Sequence, residues 1–306
     1  MGSVHAAAGL IIAADRPLPA VVVAPRTPDL VITDAADPPD PAIDRGADAA
    51  GPNWCMRRWA GDRGLWMIRE ADGRAVWTAH RGRLNVYGSD GVRRDLAWMT
   101  AATSGLAAAL LLRGRLPLHA AAVVVEGRAV LIAGASGRGK STFAAALARA
   151  GGQVIADDMV SPMVTDGRVV AAPVLPRLRL MADAAGHFGL TGPVAPDGKI
   201  LVTPAADPSP APVPVAALLL LGDRGDGPAR SGRLAALAAV PAIRGQITGG
   251  AATLPLYDRT AAFSTALLDL ARHMPVLSLS LPEGLGRLDE VSRTLPALID
   301  QAQAAC

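Results

Sequence analysis

An octapeptide near the middle of the chain has the glycine spacing, lysine and hydroxyl that bind phosphate. It reads Gly134-Ala135-Ser136-Gly137-Arg138-Gly139-Lys140-Ser141 and matches the pattern G-x-x-x-x-G-K-[ST]. The glycines let backbone N–H groups converge on a phosphate chain, and a helix that follows adds its positive end. Lys140 would reach the β- and γ-phosphates, and the Ser141 hydroxyl would ligate Mg²⁺. The motif and the adjoining Thr142 therefore predict a nucleotide site.

The flanking sequence supplies the secondary structure that such a loop requires. Residues 129–133 form an apolar β-branched run that predicts a strand, and the alanine-rich residues 141–150 predict an amphipathic helix. The alternative is a glycine-rich turn that binds nothing. The chain has only one other lysine, Lys199, so a high lysine content does not explain the lysine in this loop.

Two carboxylates follow the next predicted strand. Residues 153–156 read as a short buried strand that ends in Asp157-Asp158. Beside a phosphate loop, one carboxylate could accept the proton of an attacking hydroxyl and the other could hold Mg²⁺. The alternative is that the pair only begins a turn.

A histidine precedes the loop on a predicted apolar strand over residues 116–125, and a turn at 126–128 leads back to the loop strand. This hairpin would place His119 next to the phosphate site. A lone histidine in an apolar strand is otherwise a satisfied core residue.

The block from His119 to Asp158 resembles the catalytic domain of the HPr kinase/phosphorylase family. A histidine strand, a phosphate loop and an Ala-Asp-Asp strand end follow in the family's order, with Asp157 lying 17 residues after Lys140. The resemblance implies an α/β kinase domain with a mixed sheet and flanking helices, which uses ATP and Mg²⁺ to phosphorylate a serine of a protein or peptide. It also implies that Asp157 is the base, that His119 assists it, and that Ser141 and Asp158 serve the metal.

The resemblance extends more loosely to basic residues further along the chain. Residues 171–184 are similar to a proline-arginine segment of the kinase-only relatives, and Asp197-Gly198-Lys199 is similar to the short loop after it. Arg177, Arg179 and Lys199 are therefore candidates to stabilise charge on a transferring phosphoryl group. The alternative for each is a solvated basic loop.

Several departures from the family's pattern change what the resemblance implies. The Arg-Gly signature tied to phosphorolysis is absent after the aspartate pair, and Ile243-Arg244-Gly245 lies too late in the chain. Ala135 and Thr142 stand where acidic residues commonly flank the loop. These departures count against dephosphorylation of HPr and against HPr as the acceptor. They fit a kinase-only relative that modifies ribosomal peptides, such as lasso-peptide precursors.

The distribution of tryptophan predicts the division of the 306-residue chain. All five tryptophans precede residue 100, and short apolar runs alternate with turns such as 72–73 over residues 54–95. We expect a largely irregular segment with short strands at 21–23 and 30–32 over residues 1–50, with a loop over 34–51. A small antiparallel β unit over 51–95 and the P-loop kinase-like domain over 96–306 would follow. Further predicted elements are a helix at 96–113, a strand at 215–221, a helix at 259–273, a strand at 276–281 and a helix at 288–303.

Composition excludes several other classes of protein. The two cysteines, Cys55 and Cys306, have no metal spacing, and the formal net charge is only +3 with no basic cluster interleaved with aromatics. We therefore expect no nucleic acid as a partner. We also expect no membrane segment, a cytoplasmic location and, from the resemblance, a possible homo-oligomer. The sequence lacks a G-x-S-x-G elbow, the protein-kinase motifs and an ABC signature.

Two other functions stay open at this stage. A kinase of a small metabolite would use Asp157 equally well. A nucleotide-dependent regulatory or binding module would use the loop without any phosphotransfer.

Overall fold

The structure is a computed structural model of the chain. It describes residues 3–35, 48–51, 54–59, 64–68, 75–80, 82–88, 91–195, 197–204 and 206–304. The turn expected at 72–73, the central part of the loop expected over 34–51, and Cys306 lie outside the described residues.

The N-terminal part of the chain forms a nine-stranded sheet in the order β3-β1-β2-β4-β9-β8-β7-β6-β5. Strands β5 to β9 make an antiparallel meander, whereas β4 pairs parallel with both β2 and β9. The strands are β1 (Ser3–Ala7), β2 (Leu10–Ala14), β3 (Val21–Val22), β4 (Leu30–Ala35), β5 (Asp48–Gly51), β6 (Trp54–Trp59), β7 (Gly64–Ile68), β8 (Ala75–His80) and β9 (Arg83–Tyr87).

This sheet contains more of the N-terminal segment than the sequence predicted. We expected mostly irregular structure with strands at 21–23 and 30–32, but β1 and β2 also form and pair over five residues each. Ala8 and Gly9 join them with φ of 54° and 73°, as a tight two-residue hairpin requires. The antiparallel unit expected over 51–95 is thus part of a larger mixed sheet.

A helical segment packs across this sheet, close to the predicted helix over 96–113. It consists of α1 (Gly91–Thr100), a π-helical turn (Ala101–Gly105) and α2 (Leu106–Leu111). Gly105 permits the close approach, because a Cβ there would lie 3.0 Å from Leu84 Cδ2. All six residues of α2 are buried.

The second sheet is mixed and contains the strand that precedes the glycine-rich loop. Its order is β12-β10-β11-β17-β14-β13, and β19 pairs with β17 and β18. Strands β15 and β16 form a separate hairpin. The strands are β10 (Ala120–Val125), β11 (Arg128–Gly134), β12 (Gln153–Ala156), β13 (Met163–Thr165), β14 (Arg168–Ala171), β15 (Leu178–Leu180), β16 (Ile200–Val202), β17 (Val213–Leu221), β18 (Arg230–Arg233) and β19 (Val276–Ser280).

Most predicted strands and helices of this part are present, with one shift that concerns the site. The strand expected over 116–125 begins only at Ala120, so His119 precedes the strand instead of lying within it. The helices are α3 (Lys140–Arg149), α4 (Ala182–Phe188), α5 (Ala236–Arg244), α6 (Thr260–His273) and α7 (Leu288–Ala304). Helices α4 and α5 were not predicted.

Two hydrophobic cores hold these layers together. One lies between the second sheet and α3, α4 and α7, with Phe143 and Leu277 among its fully buried side chains. The other joins the N-terminal sheet and α2 to the opposite side of the second sheet, and it includes Leu30 and Leu131. Residues on both sides of the expected boundary at 95/96 therefore share one core.

Candidate active site

The directions of the strands bring the predicted site residues to one edge of the second sheet. Strands β11, β17 and β19 run parallel. Strand β12 has the same direction, since both β11 and β12 pair antiparallel with β10. The carboxyl ends of these strands therefore meet at one edge, where the glycine-rich loop follows β11 and Asp157-Asp158 follows β12. Open α/β sheets bind ligands at such an edge.

Three glycines of the loop have backbone conformations that L side chains rarely adopt. The φ angles are 141° at Gly134, 81° at Gly137 and 86° at Gly139. A Cβ on Gly134 would lie 2.9 Å from the carbonyl oxygen of Leu221, whereas a Cβ on Gly137 would meet nothing within 4 Å. The loop thus needs glycine for its path and leaves open space beside Gly137. Ala135 and Ser136 are exposed, and Thr142 is half-buried in the first turn of α3.

The side chain of Lys140 folds back over the loop. Its Nζ donates to the carbonyl oxygens of Gly134 at 3.0 Å and Ala135 at 3.3 Å. Burial lowers the pKa of the ammonium group, and the negative charges of Asp158 and Asp157 oppose that change. A buried ammonium whose hydrogen bonds among the described residues go to carbonyl oxygens is ready to exchange them for phosphate oxygens.

Asp157 is buried and accepts three hydrogen bonds. Its Oδ1 accepts from the Ser141 hydroxyl and the Asp158 N–H, both at 3.0 Å. Its Oδ2 accepts from the Arg179 N–H at 2.9 Å. Burial, followed by the charge of Asp158, nevertheless raises the pKa of Asp157 to about 7. A carboxylate with such a pKa is suited to proton transfer near neutral pH.

Asp158 is more accessible and is held by an arginine. Its Oδ2 accepts from Arg179 Nη1 at 2.6 Å, and Arg179 Nη2 donates to Asp197 Oδ2 at 2.6 Å. Burial alone would lower the pKa of Arg179, but the two carboxylates outweigh it and raise that pKa. The φ of Asp158 is 68°, an uncommon backbone conformation that here turns the chain between two adjacent carboxylates.

His119 contacts the backbone of Asp158. The backbone carbonyl of Asp158 accepts from His119 Nδ1 at 3.0 Å, which assigns the ring hydrogen to Nδ1 and leaves Nε2 as an acceptor. Burial, and next the charge of Lys140, lowers the pKa of His119. The imidazole is therefore neutral at physiological pH.

The remaining predicted residues take different positions. Of the two arginines before and in β15, only Arg179 contacts the aspartate pair, whereas Arg177 lines a separate cleft. Lys199 is half-buried and close enough to lower the pKa of His119 and Lys140 through its charge. Arg138 forms an ion pair with Asp223 on the loop after β17.

Two residues that sequence reasoning missed also contact the loop. Gln246 Oε1 accepts from the Gly134 N–H at 3.0 Å, and the Gln246 carbonyl accepts from the His119 N–H at 2.6 Å. Arg224 lies over the loop, since a Cβ on Gly139 would be 2.7 Å from its Nη2. Both residues lie more than 80 positions from the loop in sequence, and no motif marks either of them.

The oxygen donors at this edge fit a nucleotide-bound Mg²⁺. Ser141, Asp157 and Asp158 offer one hydroxyl and two carboxylates, the hard oxygen ligands that Mg²⁺ prefers. Within the described residues, no group of three or more His, Cys, Asp or Glu could hold a metal on its own. Mg²⁺ that arrives with phosphates needs only one or two protein carboxylates. The Ser141 hydroxyl contacts Asp157 and not Asp158, and the pair Ser141 and Asp158 as metal ligands stays a prediction.

No family model matches the chain, and no curated protein matches it. Among solved structures, the chain is similar to the HPr(Ser) kinase/phosphatase from Coxiella burnetii, with a TM-score of 0.31 and 14% identity. That similarity covers 62% of this chain and 97% of the other. Membership of that family does not follow from these comparisons.

No helix in the described part of the chain is long and apolar enough to cross a membrane.

Proposed function

We propose that the protein is an ATP- and Mg²⁺-dependent kinase that transfers the γ-phosphoryl group to a serine of a protein or ribosomal peptide precursor, such as a lasso-peptide precursor. The observation that supports this most is the contact between Ser141 and Asp157, which joins the phosphate loop to a buried carboxylate with a pKa of about 7. A cytoplasmic location, where ATP is available, belongs to the same proposal.

In this proposal the loop holds the phosphates. N–H groups of the loop after Gly134 and the amino end of α3 would face the phosphate chain, whereas the Gly134 N–H is already bonded to Gln246. Lys140 exchanges its two carbonyl partners for phosphate oxygens, and Ser141 with Asp158 holds the metal. Bound Mg²⁺ would neutralise charge on the phosphates during transfer.

Asp157 then accepts the proton of the acceptor serine. The serine oxygen forms a bond to the γ-phosphorus while the bond to the β-phosphate oxygen breaks, so the products are phosphoserine, ADP and a proton on Asp157. The raised pKa of Asp157 supports this step, because a carboxylate that titrates near 7 both accepts and releases a proton readily.

His119 and Arg179 act around this base. His119 is neutral, and its Nε2 has no hydrogen-bond partner among the described residues, so in this proposal it takes the proton onward from the site. Arg179 balances the charge of Asp158, which would otherwise make Asp157 harder to deprotonate.

Intact-mass spectrometry tests the proposal. The protein is incubated with Mg-ATP and a small acceptor panel, which contains an HPr-like protein and peptides encoded near the gene. A gain of one phosphoryl mass on one acceptor is expected with the wild type. Asp157→Asn should abolish that gain while binding ATP normally, and Lys140→Ala should lose both binding and transfer.

The other outcomes identify the alternatives. Phosphorylation of a metabolite but of no protein or peptide would make the protein a small-molecule kinase. ATP binding that changes a partner's affinity without any transfer would make it a binding module.

A further inference from the structure

A cleft of about 300 Å³ lies where the N-terminal sheet and α1 meet the segment before β15. Leu18, Trp98 and Met99 line it and supply apolar walls. The indole N–H of Trp98 donates to Asp34 Oδ1 at 2.8 Å, and the Arg16 guanidinium lies 5.8 Å from the ring centroid, so the half-buried Met99 is the more accessible apolar side chain of this wall. The cleft therefore has a face that suits a bulky apolar side chain.

Arg16, Arg177 and Asp95 line the same cleft, and of the two arginines only Arg16 forms an ion pair within the described part of the chain. Arg16 forms ion pairs with Asp95 at 2.7 Å and with Asp34 at 3.5 Å. Arg177 is half-buried, and its side chain forms no ion pair or hydrogen bond within the described part of the chain. Burial, followed by the charge of Arg179, lowers the pKa of this guanidinium, and the charges of Asp158 and Asp157 oppose that change. A partly desolvated guanidinium whose N–H donors have no hydrogen-bond acceptor in the described part of the chain favours an anionic ligand.

The position of Arg177 places the cleft next to the aspartate pair. Leu178 and Leu180 are buried, so Arg177 and Arg179 lie on the same side of an extended segment. Two residues of extended chain span about 7 Å. Since Arg179 binds Asp158 directly, the cleft begins about 7 Å along the chain from the residue that holds Asp158.

From this geometry we propose that the cleft selects the acceptor peptide, with an acidic side chain on Arg177 and a bulky apolar side chain on the wall that contains Trp98 and Met99. This inference rests on the proposed kinase activity and gives the N-terminal sheet a role in it. At about 3.3 Å per residue, the acidic residue lies within about four positions of the acceptor serine. A charge-assisted pair at a half-buried site gives about a tenfold preference for the acidic residue.

Positional-scanning peptide libraries with a central serine test the inference. In each library one position is fixed as each amino acid in turn, and phosphate transfer from radiolabelled ATP is measured. The wild type should select Asp or Glu at one position and a large apolar residue at another. Arg177→Glu should reverse the first preference, so that Lys or Arg is selected about tenfold over Asp or Glu. Met99→Ser should weaken the apolar preference alone.

A matched control uses Arg168, an exposed arginine at the start of β14 with no ion pair in the described part of the chain. Arg168→Glu makes the same change of charge and should keep the wild-type preferences. Unchanged selection in Arg177→Glu would contradict the inference. Loss of transfer to every peptide, with ATP binding intact, would also contradict it, because Arg177 would then act on the phosphoryl group.

The two proposals fail in different ways. A wild type that binds ATP and phosphorylates no library peptide contradicts the proposed peptide kinase, and this inference with it. A wild type that phosphorylates the libraries without any acidic preference retains the proposed function and contradicts only the role of the cleft.

Discussion

The Ser141 hydroxyl donates to Asp157 Oδ1 at 3.0 Å, which links the first turn of α3 to the carboxyl end of β12. The two residues lie 16 positions apart, on elements that reach the same sheet edge. The contact leaves Asp157 with protein donors on both oxygens. Binding of a metal at Ser141 would take this hydroxyl away and leave Oδ1 able to accept a proton.

Asp157→Asn should lower kcat by about 10²- to 10⁴-fold with little change in the Kd for ATP, because general-base catalysis has this magnitude. In the wild type, kcat should fall as pH decreases through about 7, since protonation of Asp157 removes the base. Rates measured between pH 5.5 and 9 with saturating Mg-ATP would show this.

The Mg²⁺ requirement separates the roles of the two aspartates. Asp158→Asn should raise the Mg²⁺ concentration for half-maximal rate and move the pH midpoint downward without removing it, because the charge of Asp158 helps to raise the pKa of Asp157. If Asp157→Asn changed the Mg²⁺ requirement instead and Asp158→Asn removed the pH dependence, the two roles would be exchanged.

Local sequence predicted the parts of the site that lie on short neighbouring segments. The loop, the strand before it and Asp157-Asp158 all fall within residues 128–158, where glycine spacing and apolar runs determine the backbone. Strand direction then brings them together. This is why the sequence could predict that the loop and the aspartate pair lie together in a mixed α/β fold, whereas their functional roles stay predictions.

Residues from distant parts of the chain could not be derived in this way. Gln246 contacts Gly134 across 112 positions in the sequence, and no local pattern indicates that its side chain meets the loop. Strands β1 and β2 were missed for another reason. Two of the five residues in each strand are alanine, which has neither the size nor the β-branching that marks a strand, and the run Leu10-Ile11-Ile12 of β2 is too short to predict one alone.

Arg179→Gln should shift the pH midpoint of kcat upward. Removal of the guanidinium leaves the charge of Asp158 unbalanced beside Asp157, which raises the pKa of Asp157 further. We expect a loss of about tenfold at pH 7 that is recovered near pH 9. Arg149→Gln, which breaks an exposed ion pair with Asp289, should keep the wild-type profile. A loss that persists at every pH would instead indicate direct contact of Arg179 with the phosphoryl group.

Gln246→Leu should destabilise the loop. It removes the acceptor of the Gly134 N–H, and an unsatisfied buried donor costs about 1–3 kcal/mol. The melting temperature should fall by roughly 2–8 °C, and the Kd for ATP should rise. Gln246→Glu keeps an oxygen acceptor and should retain most of the melting temperature and ATP affinity that Gln246→Leu loses. Equal effects of both variants on the Kd would show that the contact with Gly134 does not position the loop.

The stability of the protein should fall as pH decreases below about 6.5, partly because of His5 in strand β1. Its Nε2 accepts from the Leu18 N–H at 3.3 Å, and burial lowers its pKa. Between the lowered pKa of the folded state and the ordinary value of about 6.5, the unfolded chain binds more protons. Acid therefore favours unfolding, and His119 contributes in the same direction.

His5→Gln keeps an acceptor for Leu18 but removes the titration. The loss of melting temperature between pH 7.5 and 5.5 should be smaller than in the wild type by roughly 2 °C, as measured by calorimetry. His273→Gln, which removes an exposed histidine on α6, should leave the wild-type dependence unchanged. An identical pH dependence in His5→Gln and the wild type would mean that His5 accepts a proton as easily in the folded chain as in the unfolded one. Residues 16–19 line the cleft and include Leu18. Their conformation would then not depend on His5 being neutral.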